Sequence, residues 1–488
     1  MNAVPDEAGG DASPAASGST NAPQRSPWRA RLGTLALGLA LWFGPTPEGL
    51  GTTPWHLFAL FATAIAAVVT GALPILTASL LATAVAVLAR VITPAAAWSG
   101  FANGTIVLIV IAFLVAKAVV TCGLGVRIGH AVVQVFGRST LGLAYSLFLV
   151  DAVIAPAFPS NTARSGVLYS LAASLLHTAG VQPGDPSRAR LGAFLMFSGI
   201  ASLTLSSGLW LTAMAANPLG TEIARGFGVE IGFGRWLLAS VVPTLLAMAV
   251  LPWLLYKVTA PEITATPDAP TAARQALAAL GPLSTHERIV AGTFVVMVVL
   301  WGAGGTLGID ATAVAMFGLG IFLATGVLTA SDIAQEGDVL ATFIWFALLF
   351  AMSSQLNALG FMSYVGERLA LGMHGWPWLA AGIALVLAYV LLHVLFVSQT
   401  AHLLALFGVF MDVGVKVGVP AMPLAFLLLF ATNFFSAMTP QASSANLLFA
   451  GSGYLSQREL YRLGAITTVF NLLVYLLIGT PWFFLITR

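Results

Sequence analysis

The chain has 488 residues, 58% apolar and only 8% charged, with a formal net charge of +2. A soluble domain is about one-quarter charged, so charges this sparse exclude an aqueous protein of this length, and the near-neutral balance argues against a nucleic-acid partner. Cys122 is the single cysteine, which excludes an intrachain disulfide and a cysteine-rich metal site.

Residues 1–27 are rich in Ala, Ser, Pro and Gly, carry Asp6, Glu7 and Asp11, and lack an apolar h-region. They are expected to form a disordered tail and not a signal peptide. Apolar runs then recur, many long enough to cross a hydrocarbon layer of ~30 Å. Spans are predicted near 32–45, 54–71, 73–90, 104–122, 190–214 and 235–256, closing a first half over 28–256. The polar stretch from Lys257 to Arg288, with Pro261, Pro267, Pro270 and Pro282, reads as a cytoplasmic linker. The second half, 289–488, has spans near 289–307, 311–328, 339–358, 421–450 and 464–486. Segments 140–178 and 376–415 are too long for one crossing and are broken near their middles, as re-entrant hairpins would be. The fold class is therefore an all-α membrane protein, since helices satisfy their own backbone in lipid, whereas a barrel would show short alternating segments. Trp236, Trp376 and Trp482 are expected at the membrane interfaces. Lys117 is expected to snorkel to solvent, with no binding role, because its counterpart in the second half is Ser354.

With the N-terminus inside and each hairpin returning to its own side, twelve Lys and Arg fall on cytoplasmic segments and six on outer ones, as the positive-inside rule asks. The halves also resemble each other. Thr105, Gly123 and Gly129 match Thr342, Gly360 and Gly366 at an offset of 237, and Ser160, Thr162 and Ala163 match Ser398, Thr400 and Ala401 at 238. Five crossings per repeat would invert one half against the other, the arrangement of secondary carriers whose sites lie at the midplane where helices break.

In the first hairpin Pro156 and Pro159 prevent a continuous helix, so Ser160-Asn161-Thr162 stands where a new helix begins. A helix N-terminus offers free N–H donors and a positive dipole end, which suit a carboxylate; an ordinary Ser cap is the bland reading of one copy alone. The second hairpin repeats the pattern as Ser398-Gln399-Thr400. Arg164 and His402 follow each threonine by two residues. Charged groups inside a membrane protein are costly and usually functional, and both residues read as charge-compensating; for Arg164 a buried ion pair with Asp151 is compatible with that role. Two polar breaks follow, one around Asn217-Pro218, the other with Thr439, Pro440, Ser443, Ser444 and Asn446. They read either as substrate-binding helix breaks or as structural proline kinks.

These residues resemble the divalent anion/sodium symporter family, most closely its citrate/succinate and 2-oxoglutarate/malate translocator branch. The SNTAR and SQTAH hairpins, the TAMAANPL break and the GSGY turn carry the resemblance, which covers the chain after the tail. It implies eleven spans with two hairpins in an inverted repeat, a homodimer, elevator-type movement, and substrates such as succinate, malate, fumarate, 2-oxoglutarate, citrate or tartrate. It also places substrate contacts on Ser160, Asn161, Thr162, Ser398, Gln399 and Thr400. Sodium-coupled members have Ser-Asn-Thr in both hairpins, so Gln399 departs from them, as does Ser443-Ser444-Ala445-Asn446 in the second break. In the exchanger branch the basic residues at the positions of Arg164 and His402 resemble substitutes for sodium. The expectation is a sodium-independent exchanger of di- or tricarboxylates in a bacterial inner membrane, with no cofactor, a sodium-coupled symporter being the alternative. The absence of H-E-x-x-H and G-x-S-x-G motifs, and of paired membrane acids, argues against an enzyme.

Overall fold

The computed structural model describes residues 27–487; the tail expected over 1–27 lies, but for Pro27, outside them. Every regular element among the described residues is helical. The first half runs α1 (Pro27–Phe43), α2 (Thr52–Val69), α3 (Ile75–Leu88), α4 (Pro94–Trp98), α5 (Gly104–Thr121), α6 (Leu124–Phe136), α7 (Thr140–Ile154), α8 (Asn161–Thr178), α9 (Gly192–Leu209), α10 (Ala216–Arg225) and α11 (Phe233–Thr259). The segment between the halves holds α12 (Ala269–Ala279), which packs on α6. The second half runs α13 (Thr285–Leu307), α14 (Ala311–Ala324), α15 (Ala330–Ala334), α16 (Gly337–Ala358), α17 (Phe361–Leu371), α18 (Trp378–Leu392), α19 (Gln399–Lys416), α20 (Ala421–Phe434), α21 (Ser444–Ala450), α22 (Gln457–Val474) and α23 (Thr480–Ile486).

Element order from α2 to α11 repeats from α13 to α22, and local details repeat with it. Gly123 before α6 and Gly360 before α17 both adopt left-handed backbone, at φ 78° and 82°, a conformation that glycine reaches without a Cβ penalty. Thr93 and Thr329 cap α4 and α15 in the same way. By length and composition α2, α5, α9, α11, α13, α16 and α22–α23 could each cross a membrane, as could α7 and α18, the first arms of the segments expected as hairpins, α7–α8 and α18–α19; α3, α14 and α20 are shorter apolar helices.

Two broken helices form the centre. Every residue of α9 is buried, and α20 is buried from Pro423 to Phe434, as helices apolar on all sides must be. The segment expected as one span over 421–450 is thus two helices. Pro440 cannot continue a helix, and the chain leaves helical geometry before Ser443 caps α21. Trp236 departs from the interfacial place expected for it. It is fully buried, donates its indole N–H to the Gly208 carbonyl at 2.9 Å and packs on Phe430. In helices apolar all round, periodicity carries no sign of which aromatics face the interior.

Candidate functional site

Each hairpin turns through a short helical kink, 155–157 in the first and 393–395 in the second, before its return helix starts. Ser160 and Ser398 are the N-cap residues, accepting from the backbone N–H of Ala163 and Ala401 at 3.2 and 3.3 Å. The tips are tied to the helix breaks. The Pro159 carbonyl accepts from Ala215 N–H and the Pro156 carbonyl from the Thr212 hydroxyl, both at 3.0 Å. In the second half, His393 Nε2 bonds the Ala442 carbonyl at 2.9 Å.

The two tips meet at repeat-equivalent residues: Asn161 Nδ2 donates to Gln399 Oε1 at 3.2 Å across 238 positions. Beside them Thr162 and Ser444 share a hydroxyl hydrogen bond of 2.8 Å. A cavity of about 1220 Å³ opens over this junction, above the ~300–1,000 Å³ of an ordinary small-ligand pocket, so it comprises a vestibule as well as a site. Its inner wall is Ser160, Asn161, Thr162, Ser398, Gln399, Thr400, Ser443 and Ser444, with Met214 and Ala215 at the start of α10. Its outer wall comes from the α2–α3 turn, α5 and the start of α16. Apart from the seven-residue α21 and the α16 start on the outer wall, the starts of α8, α10 and α19 line it, so three longer helix N-termini present partial positive charge on its inner wall.

The remaining sequence-predicted residues stand behind that wall. Asn217 donates to the carbonyls of Ser207 and Trp210, ten and seven residues before it, at 2.8 and 3.3 Å. Asn446 does the same to Ser436 and Thr439, again ten and seven before it, at 2.6 and 3.2 Å. Both side chains thus satisfy carbonyls that the breaks release, and Asn217 Oδ1 also accepts from Asn433 at 2.8 Å. Asn217→Ala and Asn446→Ala are each expected to destabilise the protein by about 1–3 kcal/mol, the cost of buried groups left unpaired, with the larger loss at Asn217. Thermal unfolding in detergent checks this, and an unchanged N217A midpoint refutes it. Thr439 and Pro440 belong to the break itself and do not line the cavity.

Arg164 is wholly buried. It donates to Asp151 and Ser206 at 2.8 and 2.6 Å, and to Asn161, Ser207 and the Ala213 carbonyl at 2.6, 2.7 and 3.3 Å. Asp151 is equally buried and accepts from Ser206 at 2.6 Å. The guanidinium charge is therefore balanced within the protein and reaches the cavity only through Asn161. The counterpart of Asp151 at the same offset is Tyr389, and that of Arg164 is His402. Their rings meet edge to face at 4.4 Å, and neither His402 ring nitrogen has a hydrogen-bond partner among the described residues. His402 sits among Tyr389, His393, Phe396 and Phe435, away from the cavity.

Lys117, expected to snorkel with no binding role, lines the cavity half-exposed and pairs with Glu336 at 2.7 Å. The readable signal was helical spacing: Phe113, Ala116, Lys117 and Val120 form one face of α5.

The family model for the sodium:sulfate symporter transmembrane region matches residues 25–487. Among curated relatives, a Bacillus subtilis protein described as "Putative malate transporter YflS" is 38% identical, covering 92% of this chain and 94% of its own. The chloroplastic dicarboxylate transporter 1 of Spinacia oleracea is 36% identical over 94% and 82%. The citrate/succinate antiporter of Escherichia coli K12 is 30% identical over 90% and 94%. The Alcanivorax borkumensis YdaH transporter shares the fold, at a TM-score of 0.57 and 15% identity over 93% of this chain and 97% of that one. With the matched model spanning nearly the whole chain and these relatives aligned end to end, the chain belongs to the divalent anion/sodium symporter family and is a multi-pass membrane transporter, not an enzyme.

Proposed function

We propose that the protein exchanges di- or tricarboxylates across a bacterial inner membrane without sodium, by elevator-type displacement of the hairpins and broken helices in a homodimer. The observation that carries the substrate class is the convergence of three helix N-termini and six hydroxyls, from Ser160, Thr162, Ser398, Thr400, Ser443 and Ser444, on one cavity. Such a surface donates to carboxylate oxygens without a fixed charge in direct contact. Relatives named for malate, dicarboxylates and citrate/succinate agree with this reading.

Sodium independence rests on the carbonyls at the two breaks. Unwound carbonyls are the ligands that discontinuous helices offer to coupling cations, and here protein donors take several of them. Gln399 Nε2 holds the carbonyls of Thr432 and Asn433 at 2.7 and 3.3 Å, Arg164 holds that of Ala213, and His393 that of Ala442. These bonds leave fewer free carbonyls for a coupling cation, which favours exchange. Because Asp151 neutralises Arg164, a bare guanidinium is not what makes exchange obligatory. An empty crossing would instead desolvate the helix-start donors and cavity hydroxyls, at about 1–3 kcal/mol for each one left unpaired.

Proteoliposomes loaded with malate are expected to take up labelled succinate or 2-oxoglutarate with no sodium on either side. Equal uptake into empty vesicles driven by a sodium gradient would overturn exchange in favour of symport.

A further inference from the structure

The cation that meets the substrate is not Arg164, which is enclosed and committed to Asp151. Among the described residues Lys117 is the one basic side chain lining the cavity, and it stands on the wall opposite the hairpin tips. We propose that Lys117 receives a substrate carboxylate at the cavity mouth, and that Glu336 occupies this lysine until the substrate displaces it. The inference rests on the carboxylate reading above and adds to it a recognition residue outside the hairpin motifs.

The geometry of the pair makes such an exchange cheap. Lys117 Nζ lies 2.7 Å from Glu336 Oε1, but the side chains keep 37% and 24% of their exposure. Water-accessible ion pairs of this kind contribute about 0–1 kcal/mol, so an incoming carboxylate replaces Glu336 without a large loss. Glu336 is also free to leave. It occupies the N-cap position of the 22-residue α16 and makes no capping hydrogen bond with its side chain, so its released carboxylate stays at the positive end of that helix.

The neighbouring acids do not compete in the same way. Asp332 is held by its own capping box, accepting from the backbone N–H and hydroxyl of Thr329 at 2.7 Å each. Asp338 stands in the first turn of α16 and lines the cavity without a salt bridge to Lys117. The mouth therefore holds one exchangeable cation and two acids, Glu336 and Asp338. With one cation against two acids, the mouth admits a carboxylate only as Glu336 yields Lys117 to it.

The two partners of the pair give the test, because a structural tie and an exchangeable mask predict opposite things. The wild type, Lys117→Gln, Lys117→Arg and Glu336→Gln are reconstituted in one orientation, and the KM for labelled succinate counterflow is measured from each face. K117Q is expected to raise KM by up to about fivefold at the face carrying the 260–284 segment, the effect of one partly screened charge pair. E336Q lowers it several-fold, K117R stays near wild type, and KM at the other face and turnover at saturation hold. If K117Q and E336Q raise KM alike, or both faces shift equally, the pair is structural and the inference falls. E336Q decides by its sign even where K117Q fails to fold. Absence of counterflow in the wild type overturns the carboxylate reading and this inference together; counterflow with same-sign shifts overturns the inference alone.

Discussion

Arg164→Gln is expected to destabilise the protein by about 3–5 kcal/mol and to abolish transport. The reason is burial without solvent. Asp151 and Arg164 are both fully enclosed, and removing one member of a buried pair strands the charge of the other. Gln cannot replace the contacts to Ser206, Ser207, Asn161 and the Ala213 carbonyl that the guanidinium makes together. Asp151→Asn is expected to cost a similar amount for the converse reason. The double variant D151N/R164Q removes both charges and should regain most of the stability, but not transport, because Asn161 loses its charged donor and keeps only Ser207. Thermal unfolding and counterflow on all three variants separate the two effects. A single R164Q variant that melts with the wild type, or a double variant no more stable than either single, would show that the pair is not the keystone its geometry implies.

The fold was legible because its determinants are local. Pro156 and Pro159 break the first hairpin wherever the rest of the chain lies, and the S-x-T-A core marks the same turn in the second. The breaks around Asn217 and Asn446 were also visible, but their equivalence was not. Both side chains reach back ten and seven residues, yet they are 229 positions apart and not 238, so a search at constant offset passes over them. Nor does a sequence state which side of a broken helix faces a cavity, since helical periodicity ends at the break. This is why Asn217, Asn446, Thr439 and Pro440 read as cavity residues and stand behind its wall. Lys117 failed in the other direction. Repeat symmetry gives it no counterpart, because its partner, Glu336, lies across the fold, outside the repeat relation. The ion pair of the first half and the aromatic cluster of the second occupy matching positions, which shows how far two repeats can share a backbone while diverging in what fills it.

Asn161→Ala and Gln399→Ala are each expected to lower transport on the order of 100-fold while leaving the protein folded, the opposite balance from Arg164. Asn161 touches the cavity on one side and the Arg164 network on the other, accepting from Arg164 and Ser207 at 2.6 and 2.8 Å. Its loss leaves the Arg164–Asp151 bond in place, so the stability cost stays near the 1–3 kcal/mol of an unpaired donor. Gln399 has the matching position, with Thr432 and Asn433 carbonyls behind it. A hundredfold corresponds to about 2.7 kcal/mol of binding, what one or two displaced charge-assisted donors would account for. Because Asn161 and Gln399 bond each other directly, their effects should not add: N161A/Q399A should transport no more than a few-fold worse than the weaker single variant. Fully multiplicative losses in counterflow would mean that the halves act independently, and that the two hairpin tips do not form one shared site.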